Sequence, residues 1–133
     1  MGDKFGSFAF CLAVHPAYLA IQSRCPNVVL QAATDDLKGY ARDPADLVAL
    51  FAVAREELRD HAGITLNADK SAILLAPGAS APVDAHGIAP EGIEFLVDGT
   101  IVVGAAVGTD AFVAAHVRSV VDAALHKCLA LCH

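Results

Sequence analysis

The sequence predicts an α+β fold, with its elements in the order helix, strand, strand, helix, strand, hairpin and helix. Apolar residues recur at helical spacing in the segment that follows Asp43, which is typical of an amphipathic helix. Short apolar segments flank polar breaks at residues 34–36 and 98–99, which is typical of hairpins. The length of 133 residues fits one domain. The order is that of a split β-α-β-β-α-β sheet whose first strand is missing.

The first three elements form a helix and a hairpin. Residues 7–23 are apolar on nearly every side, which predicts a buried helix that Pro16 kinks or splits. Residues 28–32 are short and contain β-branched side chains, which predicts a strand. Residues 37–41 are the expected return strand, so residues 34–36 form the tip of the hairpin.

The second helix has clear signals at both ends. Asp43 is a good N-cap and Pro44 suits the first helical position. Gly63 is a natural C-terminal stop. Residues 71–75 are a further predicted strand, and residues 76–90, with three prolines and two glycines, are a predicted loop.

The C-terminal part contains a hairpin signal and a last helix. Residues 93–96 and 101–103 flank Asp98-Gly99, a dipeptide typical of two-residue hairpin turns. Asp110 is the expected cap of a helix over residues 111–131. We therefore expect a hairpin followed by a C-terminal helix.

Charge and hydropathy exclude some classes of function. The net charge is −6, from 15 acidic and 9 basic residues, and phosphate backbones are bound mainly by Lys and Arg. The chain alone is therefore a poor nucleic-acid binder. His15 and Pro16 interrupt its most apolar N-terminal stretch, and no segment reaches the roughly 20 apolar residues of a spanning helix. We expect an intracellular protein, cytoplasmic or nuclear and not secreted.

The C-terminal cysteines leave two interpretations open. Cys128 and Cys132 are four residues apart, with His126 and His133 nearby, so a helix places both thiols on one face. Zinc ligation is one interpretation. Free thiols of a packed apolar helix in a reducing compartment are the other, and this is the default.

Asp35 and Asp36 are the first candidates for chemistry. Two adjacent carboxylates about 5 Å apart repel by about 3 kcal/mol at an effective dielectric of 20. A divalent cation reverses that penalty, and Mg²⁺ commonly uses one or two carboxylates together with substrate phosphates. The alternative is an ordinary solvated turn, in which aspartate is common.

Four segments resemble, in order, elements of reverse transcriptases of non-LTR retroelements. Residues 2–16 resemble the Gln-Gly-Asp-x-Leu-Gly-x-x-x-Phe element and the helix that follows it. Ala33-Thr34-Asp35-Asp36 resembles the Tyr/Phe-x-Asp-Asp turn of the palm. Residues 63–71 resemble the Gly-Leu-x-Leu-Asn-x-x-Lys-Thr/Ser element, and residues 103–108 are similar to the Leu-Gly-x-Pro-x-Gly stretch near the primer grip.

The resemblance implies a role for each aspartate and for one lysine. Asp35 would ligate Mg²⁺ or Mn²⁺ directly, and Asp36 would assist more weakly. Lys70 would approach the triphosphate and protonate the leaving pyrophosphate as a general acid. The alternative for Lys70 is a charge at a strand edge.

The resemblance also implies substrate-binding glycines. Gly2 and Gly6, with the helix after them, would face the template and the incoming deoxynucleoside triphosphate. Gly104 and Gly108 would support the primer end. The alternative is that these last two are bulge or turn residues.

Departures from the family pattern limit the expected activity. In the family, a strand before the first element carries another catalytic aspartate; here Met1 stands directly before Gly2, and Ala33 replaces the aromatic residue. We therefore expect residues 1–108 to be a partial palm, and residues 109–133 to be a C-terminal helix that could begin a thumb. Two-metal catalysis needs ligands from both strands, so the isolated chain is expected to be inactive.

Two functions therefore remain open from the sequence. The first is a fragment of a reverse-transcriptase palm, an RNA-directed DNA polymerase whose partners in the intact enzyme are an RNA/DNA template-primer and nucleotides. The second is a non-enzymatic α+β interaction or assembly module. In both cases a missing strand would expose a sheet edge, so we expect self-association or poor stability.

Overall fold

The computed structural model describes residues 5–33, 35–82, 90–102 and 104–131, and these residues confirm the α+β class. They form three helices, three two-stranded sheets and two short 3₁₀ turns, Ala68–Lys70 and Pro90–Gly92. The helices and strands are α1 (Gly6–Arg24), β1 (Val29–Ala33), β2 (Asp36–Tyr40), α2 (Pro44–Ala62), β3 (Ala72–Leu74), β4 (Glu94–Leu96), β5 (Gly99–Val102), β6 (Ala105–Gly108) and α3 (Asp110–Leu131).

The described residues group into two compact units. One comprises those of Met1–Ile73 and Ala79–Glu94, and the other those of Leu74–Gly78 and Phe95–His133. The predicted division at residues 108 and 109 stays a prediction. Of the predicted loop over residues 76–90, residues 83–89 lie outside the described residues.

Helix α1 runs through Pro16 without being split, and it buries only one of its faces. Val14, Ala17 and Ile21 are fully buried, whereas Phe8 and Leu12 on the other side are 63% and 60% exposed. The prediction of a buried helix is therefore wrong for this second face. A helix that is apolar all round gives no sequence signal for which face is covered.

Helix α2 confirms its predicted ends. The Asp43 side chain accepts a hydrogen bond of 2.9 Å from the Ala45 backbone N–H, and Pro44 is the first residue of the helix. Gly63 adopts a left-handed conformation (φ 65°) and its N–H donates to the carbonyls of Arg59 and Leu58. Cap and stop together satisfy backbone groups that a helix end leaves unpaired.

The core of the first unit lies where α1, α2 and the start of β1 meet. Its buried members are Val14, Ala17, Ile21, Cys25, Val28, Leu50, Ala54 and Leu58. At the rim, the Arg24 guanidinium contacts Glu56 and Glu57 at 2.8 and 2.5 Å. Because exposed ion pairs contribute little to stability, the apolar contact between the two helices is what holds this unit together.

The β1–β2 hairpin is antiparallel and rests on α2. Val29 pairs with Tyr40 at its open end and Ala33 with Asp36 at its tip. A Cβ at Gly39 would overlap Leu50 of α2 and lie 3.2 Å from Cγ1 of Val28. The absence of a side chain at position 39 is therefore what allows the hairpin to approach the helix.

Two predictions for the C-terminal part of the chain are wrong. Strand β4 pairs with β3, and β5 pairs with β6, so Asp98-Gly99 does not turn a hairpin. The Asp98 carbonyl accepts a 2.7 Å hydrogen bond from the Thr109 N–H, which holds the segment beside the end of β6. Thr109 also caps α3, since its hydroxyl accepts from the Phe112 N–H at 3.3 Å, whereas Asp110 is the first helical residue.

The strand pairings bear on the predicted palm sheet. In the described part of the chain they are confined to three separate two-stranded sheets. The strands that the resemblance would place in one sheet, β1, β2 and β3, are observed in two of them. The α+β class is thus confirmed, and the single palm sheet stays a proposal.

Candidate functional site

The tip of the β1–β2 hairpin presents two carboxylates to solvent. Because Ala33 pairs with Asp36, only two residues connect the strands, and Asp35 is one of them. Asp35 and Asp36 are both exposed. None of the ion pairs within the described residues involves either of them.

Tyr18 of α1 lies close enough to this tip to sense its charge. Partial burial, then the charges of Cys11 and Asp35, raise the pKa of the Tyr18 hydroxyl above its usual value. Sequence reasoning missed Tyr18. The seven-residue spacing between Cys11 and Tyr18 was the available signal, since two helical turns bring such residues onto one face.

The two carboxylates suit one kind of metal site. Mg²⁺ keeps several water ligands and takes one or two carboxylates plus substrate phosphates, and the exposed pair at the tip offers that donor set. Within the described residues, no group of three or more His, Cys, Asp or Glu side chains is placed to hold a metal ion. The pair therefore offers two carboxylate ligands, and metal binding at the tip stays a proposal.

Lys70 lies at the end of the 3₁₀ turn that follows α2. The Asn67 side chain caps this turn by accepting from the Asp69 N–H at 3.1 Å, and Lys70 is exposed. Among the hydrogen bonds and ion pairs of the described residues, none joins Lys70 to Asp35 or Asp36. The structure does not bring the three predicted catalytic side chains into direct contact.

The glycines predicted to bind substrate have observed places in the backbone. Gly6 is the first residue of α1, and Gly2 lies outside the described residues. Gly104 (φ 80°) lies in the two-residue connection between β5 and β6. A Cβ on Gly108 would collide with the Asp98 carbonyl. The turn thus explains why position 104 is a glycine, and the close approach of the Asp98 carbonyl explains why position 108 is one. Neither explanation requires a bound ligand.

A surface depression of about 530 Å³ lies at the other end of the hairpin. It is lined by Asn27, Val29, Tyr40, Ala41, Arg42, Asp43 and Asp46. Val29 and Tyr40 form the strand pair farthest from the tip, and Asp43 is occupied as the cap of α2. This depression does not include the aspartate pair.

The cysteines do not add a metal site among the described residues. Cys11 and Cys128 are exposed free thiols, and Cys25 is buried. Burial raises the pKa of the Cys25 thiol, so it is a poor nucleophile and a poor ligand. Cys132 and His133 lie outside the described residues, so zinc ligation by Cys128 with them stays a prediction.

Comparison with protein-family models, with curated proteins and with solved structures gives no significant match to this chain. Within the described residues, no helix combines the length and apolar character that crossing a membrane requires. The hairpin tip and the sequence motifs are therefore the features that indicate a function.

Proposed function

We propose that this chain is part of a reverse-transcriptase palm, in which Asp35 and Asp36 are metal-binding carboxylates of an RNA-directed DNA polymerase. The observation that carries the proposal is the exposed aspartate pair at the tip of a hairpin with a two-residue turn. The proposal includes the finer fold, in which β1 and β2 are the central strands of a split palm sheet. It also includes an intracellular location, cytoplasmic or nuclear.

Most of the predicted site residues have a specific role in this proposal. Asp35 ligates Mg²⁺ or Mn²⁺, and Asp36 lowers the local potential and assists. When bound, the metal stabilises the charge that develops during nucleotidyl transfer. The helix after Gly6 faces the template-primer and nucleotide, Lys70 donates a proton to the leaving pyrophosphate, and the β5–β6 hairpin with Gly104 and Gly108 supports the primer end.

The hairpin is a suitable support for this task. Its five strand pairs and its contact with the buried Leu50 at Gly39 keep the hairpin in place relative to α2. A fixed tip is needed because catalytic ligands tolerate only small displacements. The tip supplies two carboxylates, whereas two-metal sites hold their ions about 3.5–4 Å apart with ligands from further residues. We therefore expect no primer extension by this chain alone.

Calorimetric titration with Mn²⁺ and Mg²⁺ tests the proposal. The wild-type chain should bind Mn²⁺ weakly, and Asp35→Asn should abolish the binding. Asp98→Asn is the matched control, because it removes an exposed carboxylate outside the hairpin and should leave binding unchanged. Equal binding by wild type and Asp35→Asn would remove the basis of the proposal, and so would primer extension on an RNA template that survives Asp35→Asn.

An assembly module without catalytic activity is the second candidate. The observation that favours it is the exposed apolar face of α1, where Phe8, Leu12 and Leu19 are 63%, 60% and 60% exposed. Both strands of the two-stranded β1–β2 sheet also have one edge without a strand partner among the described residues, and such edges pair with other chains. This candidate predicts self-association that is insensitive to Asp35→Asn, together with no metal binding.

A further inference from the structure

Helix α3 has a continuous exposed face. All residues from Val117 to Cys128 are exposed, and the four large aliphatic ones, Val117, Val120, Val121 and Leu125, are 53%, 53%, 49% and 55% exposed. At 100° per residue they fall, with Ala124 and Cys128, on one side of the helix. We call these six residues the α3 stripe. A stripe of this kind is the pattern of a helix that packs against another helix.

The charges beside the α3 stripe indicate what covers it. Arg118 and Asp122 are one turn apart on the same flank, and neither takes part in the ion pairs of the described residues. When two identical helices pack antiparallel, the same flank of each helix meets its counterpart. Arg118 of one copy then lies beside Asp122 of the other. The two-fold symmetry of the dimer makes this pair occur twice.

A parallel arrangement brings opposite charges together less closely. It would place the flank with Arg118 and Asp122 against the opposite flank, where the nearest charged residue is Lys127. Arg118 would then lie nine residues, about 13.5 Å along the axis, from Lys127 of the other copy, and Asp122 would lie five residues, about 7.5 Å, from it. In the antiparallel arrangement centred on Val121, Arg118 and Asp122 of the other copy differ by only about 3 Å along the axis, so the charges favour a second copy packed antiparallel.

We propose that α3 is a homodimerisation helix that packs antiparallel against α3 of a second copy, with the two-fold axis near Val121. Val121 then faces its own counterpart, and Val117 faces Leu125 of the other copy. The stripe from Val117 to Cys128 is about 18 Å long at 1.5 Å per residue. Because so short a contact belongs to the small class of interfaces, the dimer dissociates on dilution. The proposal is independent of any metal binding at Asp35 and Asp36.

Sedimentation equilibrium over a range of concentrations measures the association. Val121→Asp should make the chain monomeric by placing two carboxylates at the axis. Ser119→Asp adds the same charge on the opposite, exposed side of α3, and should leave the dimer intact. Circular dichroism checks that both variants keep their helix content. A wild-type chain that is monomeric at every concentration overturns the proposal, and so does equal weakening by both variants.

Charge reversal tests the direction of packing. Arg118→Glu and Asp122→Arg should each weaken the dimer, because each variant creates two pairs of like charges across the interface. The double variant exchanges both signs and should restore association to within a few-fold of wild type. Failure of the double variant to recover, with its helix content intact, overturns the antiparallel arrangement.

Cross-linking gives a second test that does not need a destabilising change. Val121→Cys should form a disulfide-linked dimer on mild oxidation, whereas Ser119→Cys should not. In the antiparallel arrangement, Cys128 lies about 21 Å along the axis from its counterpart, so the native thiol should not cross-link. A dimer linked through Cys128, shown by its loss in Cys128→Ser, would instead require parallel packing and contradict the proposal.

Discussion

Gly39→Ala tests how the hairpin that carries the aspartates is held. The added methyl group would overlap Cδ2 of Leu50 and lie 3.2 Å from Cγ1 of Val28 and 3.5 Å from Cδ2 of Leu47. Leu50 and Val28 are 8% and 2% exposed, so neither can move into solvent without opening the core. The substitution should therefore destabilise the fold, although alanine is normally the better residue in a strand.

The expected loss follows from two opposing effects. Overpacking a core typically costs about 1–3 kcal/mol. Replacing a strand glycine by alanine returns about 0.5–1 kcal/mol by reducing the conformational entropy of the unfolded chain. Gly39→Ala should accordingly lower the free energy of unfolding by about 1–2 kcal/mol, from the difference of these two effects.

Urea unfolding followed by circular dichroism measures this loss, and a double variant identifies its cause. Leu50→Ala alone should cost about 3 kcal/mol through the cavity that it leaves. In Gly39→Ala/Leu50→Ala the new methyl group enters that cavity. The double variant should therefore lose about 1–2 kcal/mol less free energy of unfolding than the two single variants lose in total. If Gly39→Ala is as stable as wild type and the two changes are additive, the hairpin does not rest on α2 at this point.

Three further predictions concern a cap, a surface carboxyl and a thiol. Thr109→Val should lower the free energy of unfolding by about 1 kcal/mol, because the cap of α3 is lost, whereas Thr109→Ser should stay near wild type in the same urea assay. The Arg59 side chain donates a hydrogen bond to Asp60 and lowers the pKa of that carboxyl. A lowered folded-state pKa stabilises the fold above the unfolded-state value of 3.8, and this contribution is lost as pH falls through the folded-state pKa. Carboxyl NMR titration should therefore show the Asp60 pKa rising in Arg59→Gln, and no change would contradict the pairing. Cys25 should react with a disulfide reagent only after the exposed thiols, and Cys25→Ser should remove this slow phase alone.

The elements with strong local signals were predictable from the sequence. Asp43, Pro44 and Gly63 mark the ends of α2, because caps and stops satisfy backbone groups next to them in the chain. Residues 28–32 and 37–41 predicted β1 and β2 to within one residue at each end. The exposed aspartate tip followed from this hairpin, so the position of the candidate site was also predictable.

Features that depend on distant residues were not predictable. Asp98-Gly99 has the composition of a hairpin turn, but β4 finds its partner in β3 and β5 in β6. Thr109 was overlooked as the cap of α3 because Asp110, the next residue, is an equally good capping type. Tyr18 was missed because its proximity to Asp35 depends on how α1 and the hairpin pack together. The local sequence pattern indicates which segments form strands, but it does not indicate which strands pair with each other.

The central claim is that Asp35 and Asp36 form a divalent-cation site at the hairpin tip. Amide NMR spectra recorded during a Mn²⁺ titration test it most directly, because bound Mn²⁺ broadens the signals of nearby residues. The proposal predicts selective broadening of Asp35, Asp36 and their strand neighbours, and its loss in Asp35→Asn but not in Asp98→Asn. Uniform weak broadening over all exposed acidic residues, unchanged in Asp35→Asn, would contradict the claim and leave the tip as an ordinary solvated turn.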